Sequence, residues 1–213
     1  MLLLVGAPAA GANGAAKLLR GTKVRSAPGG RVAGRLPATR PLTGSPTVVP
    51  VLAGATAGGR RWLRVRLPQR PNGATGWIAA AGTVSVQRHW RIVVSRGRRR
   101  ATILRDGRRV RRFRVVVGAA ATPTPLGRFF VAELVRQRPG SALGPWVLAT
   151  SAYSSVLQEF DGGPGQIGLH GRTGLPQPLG TAASHGCVRF SDGAIAWLAR
   201  RARPGTPIEV RRR

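Results

Sequence analysis

Short runs of alternating apolar and polar residues, each broken within a few positions by glycine or proline, fill most of the chain, while a single segment repeats at helical spacing. That pattern confines the fold to a mainly β architecture with one helix. In Trp62 to Leu67 apolar residues alternate with arginines, as in a strand with one buried face. Pro28-Gly29-Gly30, Gly58-Gly59 and Asn72-Gly73 supply turns between such runs. Asp106-Gly107 lies between Ala101–Arg105 and a run ending Phe113–Val117, which predicts a tight hairpin. Phe113, Val115 and Val117 alternate with Arg112 and Arg114, so those arginines belong to the solvent face of a sheet. Ile195, Leu198, Ala199 and Ala202 recur at helical spacing behind a Ser191 or Asp192 cap. Arg200, Arg201 and Arg203 are expected in the last helical turn, where the helix dipole favours cations, with Pro204-Gly205 as the stop. Thr206 to Val210 reads as a closing strand.

The 213 residues divide into three stretches. Residues 1–16 are rich in Ala and Gly, and Met1 to Ala12 resembles the apolar part of a secretory leader without its basic start. Such a run is too short to span a bilayer, so an exported protein of the cell envelope or its outer face is expected. Residues 17–87 hold several short strands with turn signals, expected to form a small barrel. Residues 88–213 carry the hairpin, the helix and all the candidate chemistry.

There are 35 Lys and Arg against 6 Asp and Glu, a net charge of +29. A chain so basic is drawn to polyanions such as nucleic acid, anionic lipid or an anionic envelope polymer. A general preference for arginine at surface positions accounts for the same count. The run Arg96 to Arg100 lacks interleaved aromatics and no nucleic-acid-binding motif surrounds it, so no specific nucleic-acid partner is expected. The six carboxylates are scattered, which disfavours a paired-carboxylate hydrolase, and no Gly-rich phosphate loop of the known kinds is present.

The remaining chemistry is a lone cysteine, Cys187, with His170 and His185; His89, beside Trp90, has no motif around it and reads as structural. A thiol is mostly protonated at neutral pH, and a nearby imidazole can take its proton. On an extended strand His185 and Cys187 would face the same way across Gly186, and on spacing alone either histidine can serve as the base. The amides of Gly186 and Cys187 can point at a developing oxyanion. Zinc is a competing use of two histidines and a cysteine, but His-x-Cys suits a tetrahedral site poorly and a fourth ligand is not evident.

Ile167-Gly168-Leu169-His170-Gly171 followed by Ser184-His185-Gly186-Cys187-Val188-Arg189 resembles the catalytic motif of the YkuD-domain L,D-transpeptidases. Thr122-Pro123-Thr124-Pro125-Leu126-Gly127-Arg128-Phe129 and Pro204-Gly205-Thr206-Pro207 are similar to further parts of that family. The resemblance implies a β-rich catalytic domain over about residues 90–213, with Cys187 as nucleophile and His170 as base. The Gly171 carbonyl would orient His170, with His185 shaping the site and Gly186 and Cys187 forming the oxyanion hole. Arg189 would pair with a substrate carboxylate, and Ser184 and Tyr153 are also expected at the substrate. It further implies peptidoglycan stem peptides as substrate and 3→3 cross-links through a thioester. Carbapenem-type β-lactams would inhibit, and a monomer with no metal or organic cofactor is expected. Water as acceptor would make the enzyme an L,D-carboxypeptidase. Earlier in the chain, Val24 to Gly29, Trp62 to Val65 and Thr75 to Ile78 resemble bacterial SH3-like modules, which implies wall targeting or positioning. A non-catalytic wall-binding protein is therefore a rival reading.

Overall fold

The computed structural model describes residues 13–213, so the leader-like run Met1 to Ala12 lies outside the described residues. The N-terminal sheet contains β1 (Gly14–Leu18), β2 (Thr22–Arg25), β3 (Val32–Leu36), β4 (Val48–Ala57), β5 (Arg60–Arg66), β6 (Thr75–Ala79) and β7 (Thr83–Gln87). Their order is β3-β2-β6-β5-β4-β1-β7, so the expected small barrel is a curled sheet that keeps β3 and β7 as edges. Residues 14–16, part of the Ala- and Gly-rich first stretch, belong to β1, which pairs with both β4 and β7. Both Ala15 and Ala16 are buried there, and Ala16 belongs to the N-terminal core.

Strand β5 follows its alternation only from Leu63 onward. Leu63, Val65 and Leu67 face the N-terminal core. Trp62 lies on the opposite face, where it is buried beneath the Arg25 guanidinium, 5.7 Å from the ring centre, and its Nε1 donates to Ala57 O at 3.2 Å.

Only Arg88 and His89 separate β7 from β8 (Trp90–Ser95), which opens the C-terminal sheet. Strands β9 (Arg100–Arg105) and β10 (Arg108–Arg114) form the expected hairpin. Asp106 and Gly107 take φ of 48° and 79°, the two positive angles a two-residue turn of this kind needs. His89 Nδ1 lies 2.7 Å from Asp106 Oδ1, tying the junction to that turn. Next come β11 (Val117–Gly118), β12 (Gly127–Arg136), β13 (Trp146–Tyr153), β14 (Gln166–His170), β15 (Ala182–Ser184), β16 (Val188–Arg189), α1 (Asp192–Ala199) and β17 (Pro207–Arg211). The eight-stranded order is β10-β9-β8-β17-β12-β13-β14-β16, and β11 pairs separately with β15. The last strand thus fills the middle of the sheet, parallel to β8 and antiparallel to β12.

Helix α1 begins as expected, with Ser191 Oγ accepting from Ala194 N at 3.3 Å. It ends earlier than expected, at Ala199, so Arg200, Arg201 and Arg203 lie beyond its last turn. Arg201 N and Ala202 N both donate to Leu198 O, closing the helix before Pro204 is reached. Ile195 and Leu198 are fully buried against Phe190, Leu169 and Leu148 in the C-terminal core.

Strand β12 serves two cores. Phe129 and Val131 pack into the C-terminal core, while Phe130 and Ala132 complete the N-terminal one. Burying a side chain of the size of Phe130 contributes roughly 2–3 kcal/mol, so the N-terminal core depends on a residue of the other sheet.

Candidate active site

Strands β14 and β16 run parallel, with Leu169 opposite Val188 and His170 opposite Arg189. One step back along both chains, Gly168 N–H donates to Cys187 Sγ at 3.3 Å. A Cβ on Gly168 would lie 4.0 Å from that sulfur and 3.9 Å from His170 Cδ2. The thiol and the imidazole therefore flank the bare face of Gly168, a residue whose importance the spacing alone did not show.

His170 is buried, and its Nδ1 lies 2.7 Å from Gly171 O. A carbonyl only accepts, so Nδ1 carries the proton and Nε2 presents its lone pair. Burial pulls the imidazole pKa down to about 4, with the Arg189 charge acting in the same direction; the Gly171 bond and Asp192 oppose them. Burial pushes the Cys187 thiol up, against the Gly168 N–H and Arg189. At neutral pH the site therefore rests as a neutral thiol beside a neutral base, not as an ion pair.

The His170 value has a consequence for stability. Its folded-state pKa lies below the unfolded value of about 6.5. As pH falls below that value the unfolded chain takes up the proton first, so stability is lost between about pH 6.5 and pH 4. The expected loss is about 3 kcal/mol over that window. Denaturant midpoints at pH 7 and pH 4.5 test this: His170→Gln should lose far less than the parent protein on acidification. Equal losses would refute the assignment of the buried neutral imidazole.

Gly171 is required by packing. A Cβ there would sit 2.3 Å from Asp192 Oδ1 and 2.7 Å from Gly144 Cα. Asp192, at the start of α1, accepts from Arg172 N at 2.7 Å through Oδ1 and from the Thr173 hydroxyl through Oδ2. Gly171 N donates to Leu143 O at 2.8 Å. The carbonyl that holds His170 is itself held by these contacts, so Asp192 acts as a positioning residue. The scatter of carboxylates along the sequence concealed it.

The cysteine sits at the end of a turn rather than on an extended strand. Gly186 has φ of 119°, and a Cβ there would meet Ile167 Cδ1 at 2.8 Å. Ser184 is 1% exposed, and its hydroxyl donates to Cys187 O at 2.6 Å and accepts from Gly186 N at 3.2 Å. Ser184 therefore shapes the turn, with its hydroxyl engaged on both sides by the turn's own backbone. The same bond occupies the Gly186 amide. Among the described residues the Cys187 amide has no hydrogen-bond partner, so of the two expected oxyanion donors it is the free one.

The run from Gly118 to Thr124 clamps this turn. Thr124 Oγ1 donates to Gly186 O at 2.7 Å and accepts from Gly118 N at 2.9 Å. Thr122 Oγ1 and Ala119 N both donate to Ser184 O, at 3.1 and 2.9 Å.

His185 is exposed and stacks on Phe160, ring centres 4.8 Å apart, so it does not share an extended strand face with Cys187. Both residues line a cavity of about 40 Å³ together with Phe160 and Ile167. Arg189 is half-buried; its Nη1 donates to Gln177 Oε1, while its buried Nε has no partner. Only one of the five guanidinium N–H groups is paired with Gln177, so donors remain for an arriving carboxylate. Tyr153 lies elsewhere. Its hydroxyl donates to Pro68 O at 3.3 Å, its backbone bonds to the Asn72 side chain at both N and O, and Arg70 lies over its ring at 5.2 Å. Tyr153 thus joins β13 to the loop between β5 and β6. Among the described residues no cluster of three His, Cys, Asp or Glu side chains could hold a metal ion.

The β-rich architecture with one helix is the fold of L,D-transpeptidases. The solved structure of L,D-transpeptidase 3 from Mycobacterium tuberculosis superposes over 76% of this chain and 93% of that one, with a TM-score of 0.51 at 13% identity. A second structure of that enzyme holds a faropenem-derived adduct, with a TM-score of 0.50 at 14% identity over 76% of this chain and 93% of that one. Residues 89–210 match the L,D-transpeptidase catalytic domain model, YkuD, and the chain belongs to that family. It is 30% identical to the YkuD protein of Bacillus subtilis over 124 residues, 58% of this chain and 66% of that one, so the match spans just under two thirds of the relative.

Proposed function

We propose that this protein is a peptidoglycan L,D-transpeptidase with Cys187 as its nucleophile. The observation that carries the proposal is the placement of the Cys187 sulfur and the buried His170 ring against the same face of Gly168, with a His170 tautomer that leaves Nε2 free. As sulfur attacks the carbonyl between the third stem residue and the terminal D-alanine, the thiol proton passes to His170 Nε2. The oxyanion forms against the Cys187 amide. Collapse breaks the C–N bond, His170 returns the proton to the departing D-alanine amine, and a thioester remains. The amine of a neighbouring stem then attacks the thioester, giving a 3→3 cross-link and restoring the thiol. Arg189 is suited to hold a stem carboxylate. Such a reaction takes place on the wall side of the membrane, in keeping with the leader-like start. A faropenem-type adduct in a fold relative supports β-lactams as acylating agents here too.

The test is incubation with a disaccharide-tetrapeptide and mass analysis of the products. A dimer formed with loss of one alanine is the expected result. Tripeptide alone would make water the acceptor and the enzyme an L,D-carboxypeptidase. Unchanged tetrapeptide under conditions that turn over in a relative would overturn the proposal in favour of a wall-binding role.

A further inference from the structure

On the opposite side of the C-terminal sheet from α1, a cleft of about 390 Å³ separates it from the N-terminal sheet. Arg66 of β5, Arg91 of β8 and Arg128 of β12 all line it, together with Glu209 of β17. Arg128 stands directly across from Glu209 in the β12–β17 pairing. Yet both Glu209 oxygens are taken by Arg211, at 2.8 and 2.9 Å. Among the described residues none of the three lining arginines has a carboxylate within salt-bridge distance or donates a side-chain hydrogen bond.

A general preference for arginine explains isolated surface guanidiniums. It does not explain three of them around one concavity whose only carboxylate is already paired. Arg66 is half-buried, and its pKa is lowered by burial and by the charges of Arg128 and Arg64. Arg91 is half-buried and Arg128 exposed, so the three like charges repel across a partly open cleft, and an anion placed among them recovers that cost.

The geometry selects the kind of anion. A planar carboxylate is satisfied by one guanidinium fork, whereas a tetrahedral phosphate offers oxygens in several directions and suits donors from three strands. The cleft is larger than a phosphate ion needs and lies within the range of small-molecule pockets. Its remaining walls include the apolar Pro50, Leu52 and Pro207, which can take the carbon face of a sugar or polyol.

We propose that this cleft binds a phosphate ester carried on a sugar or polyol, at a site separate from Cys187 and independent of its chemistry. The ester can belong to a free sugar phosphate or to a phosphodiester polymer of the envelope. The full chain is titrated calorimetrically with N-acetylglucosamine 1-phosphate and with a short glycerol-phosphate oligomer, at ionic strength matched with chloride. Saturable one-to-one binding of at least one probe is expected. It should weaken at least tenfold in Arg66→Gln/Arg128→Gln and change less than twofold in Arg60→Gln/Arg61→Gln, which removes the same charge from exposed positions of the same strand. Tighter binding of the oligomer points to the polymer, and tighter binding of the sugar phosphate to the free ester. The cleft variant relieves repulsion, so it should melt no lower than the parent protein, which separates lost binding from lost folding. Absence of saturable binding by both probes, or an equal loss in the two double variants, would overturn the proposal.

Discussion

Cys187→Ala should reduce turnover of a tetrapeptide stem by at least about 10⁴-fold, the scale seen when a nucleophile is removed from a hydrolase triad. The same variant should take up no mass from a carbapenem that labels the parent protein. Its stability should fall by about 1 kcal/mol or less. The half-buried side chain loses only a sulfur and one long bond from the Gly168 amide. Cys187→Ser should be nearly as inactive, because an alcohol holds its proton far more tightly than a thiol and His170 is a weak base in its buried position. Burial disfavours the charged form of both partners, so the proton has to leave sulfur as the new bond forms. Slow alkylation of Cys187 by iodoacetamide at neutral pH, compared with a free thiol, would accompany that. Turnover retained by Cys187→Ala would remove Cys187 from the mechanism.

What could be read from the sequence was mostly local. Asp106-Gly107 and Ser191 act through atoms within three residues of themselves, so their turn and cap were legible. The Gly171 carbonyl bonds the histidine next to it, a contact the family motif carries in adjacent letters. Motif membership does not say which way a side chain turns, and the Ser184 hydroxyl turns back onto Cys187 O and Gly186 N. The partners of Tyr153 lie 81 and 85 residues away in the loop between β5 and β6. The early end of α1 follows from where the Arg201 and Ala202 amides bond, which helical periodicity does not encode. The arginine cleft was hidden for a related reason. Arg66, Arg91 and Arg128 lie on strands far apart in the sequence, and only the packing of two sheets makes them face one space.

Glu133 was legible as one of six scattered carboxylates and nothing more, yet its removal should have the largest effect on stability. It is 0% exposed on β12, beyond the point where the register against β13 shifts. Its Oε2 accepts from Leu42 N and Thr43 N, both at 3.0 Å, and from Thr43 Oγ1 at 3.1 Å. Arg40 Nε lies 3.6 Å from Oε1, close enough for charge attraction but too far for a hydrogen bond. Glu133→Ala strands the buried Arg40 charge and two amides at once, and should cost about 3–5 kcal/mol. Glu133→Gln keeps an acceptor for the amides while losing the charge, and should cost less than the alanine change. Arg40→Met/Glu133→Leu removes both charges and should recover much of the loss. Because Phe130 and Ala132 of the same strand finish the N-terminal core, chemical denaturation should show one transition for the whole chain, moved to lower denaturant in Glu133→Ala. Two separate transitions, with only the N-terminal one shifted, would show that the sheets fold independently and that Glu133 merely fastens a loop.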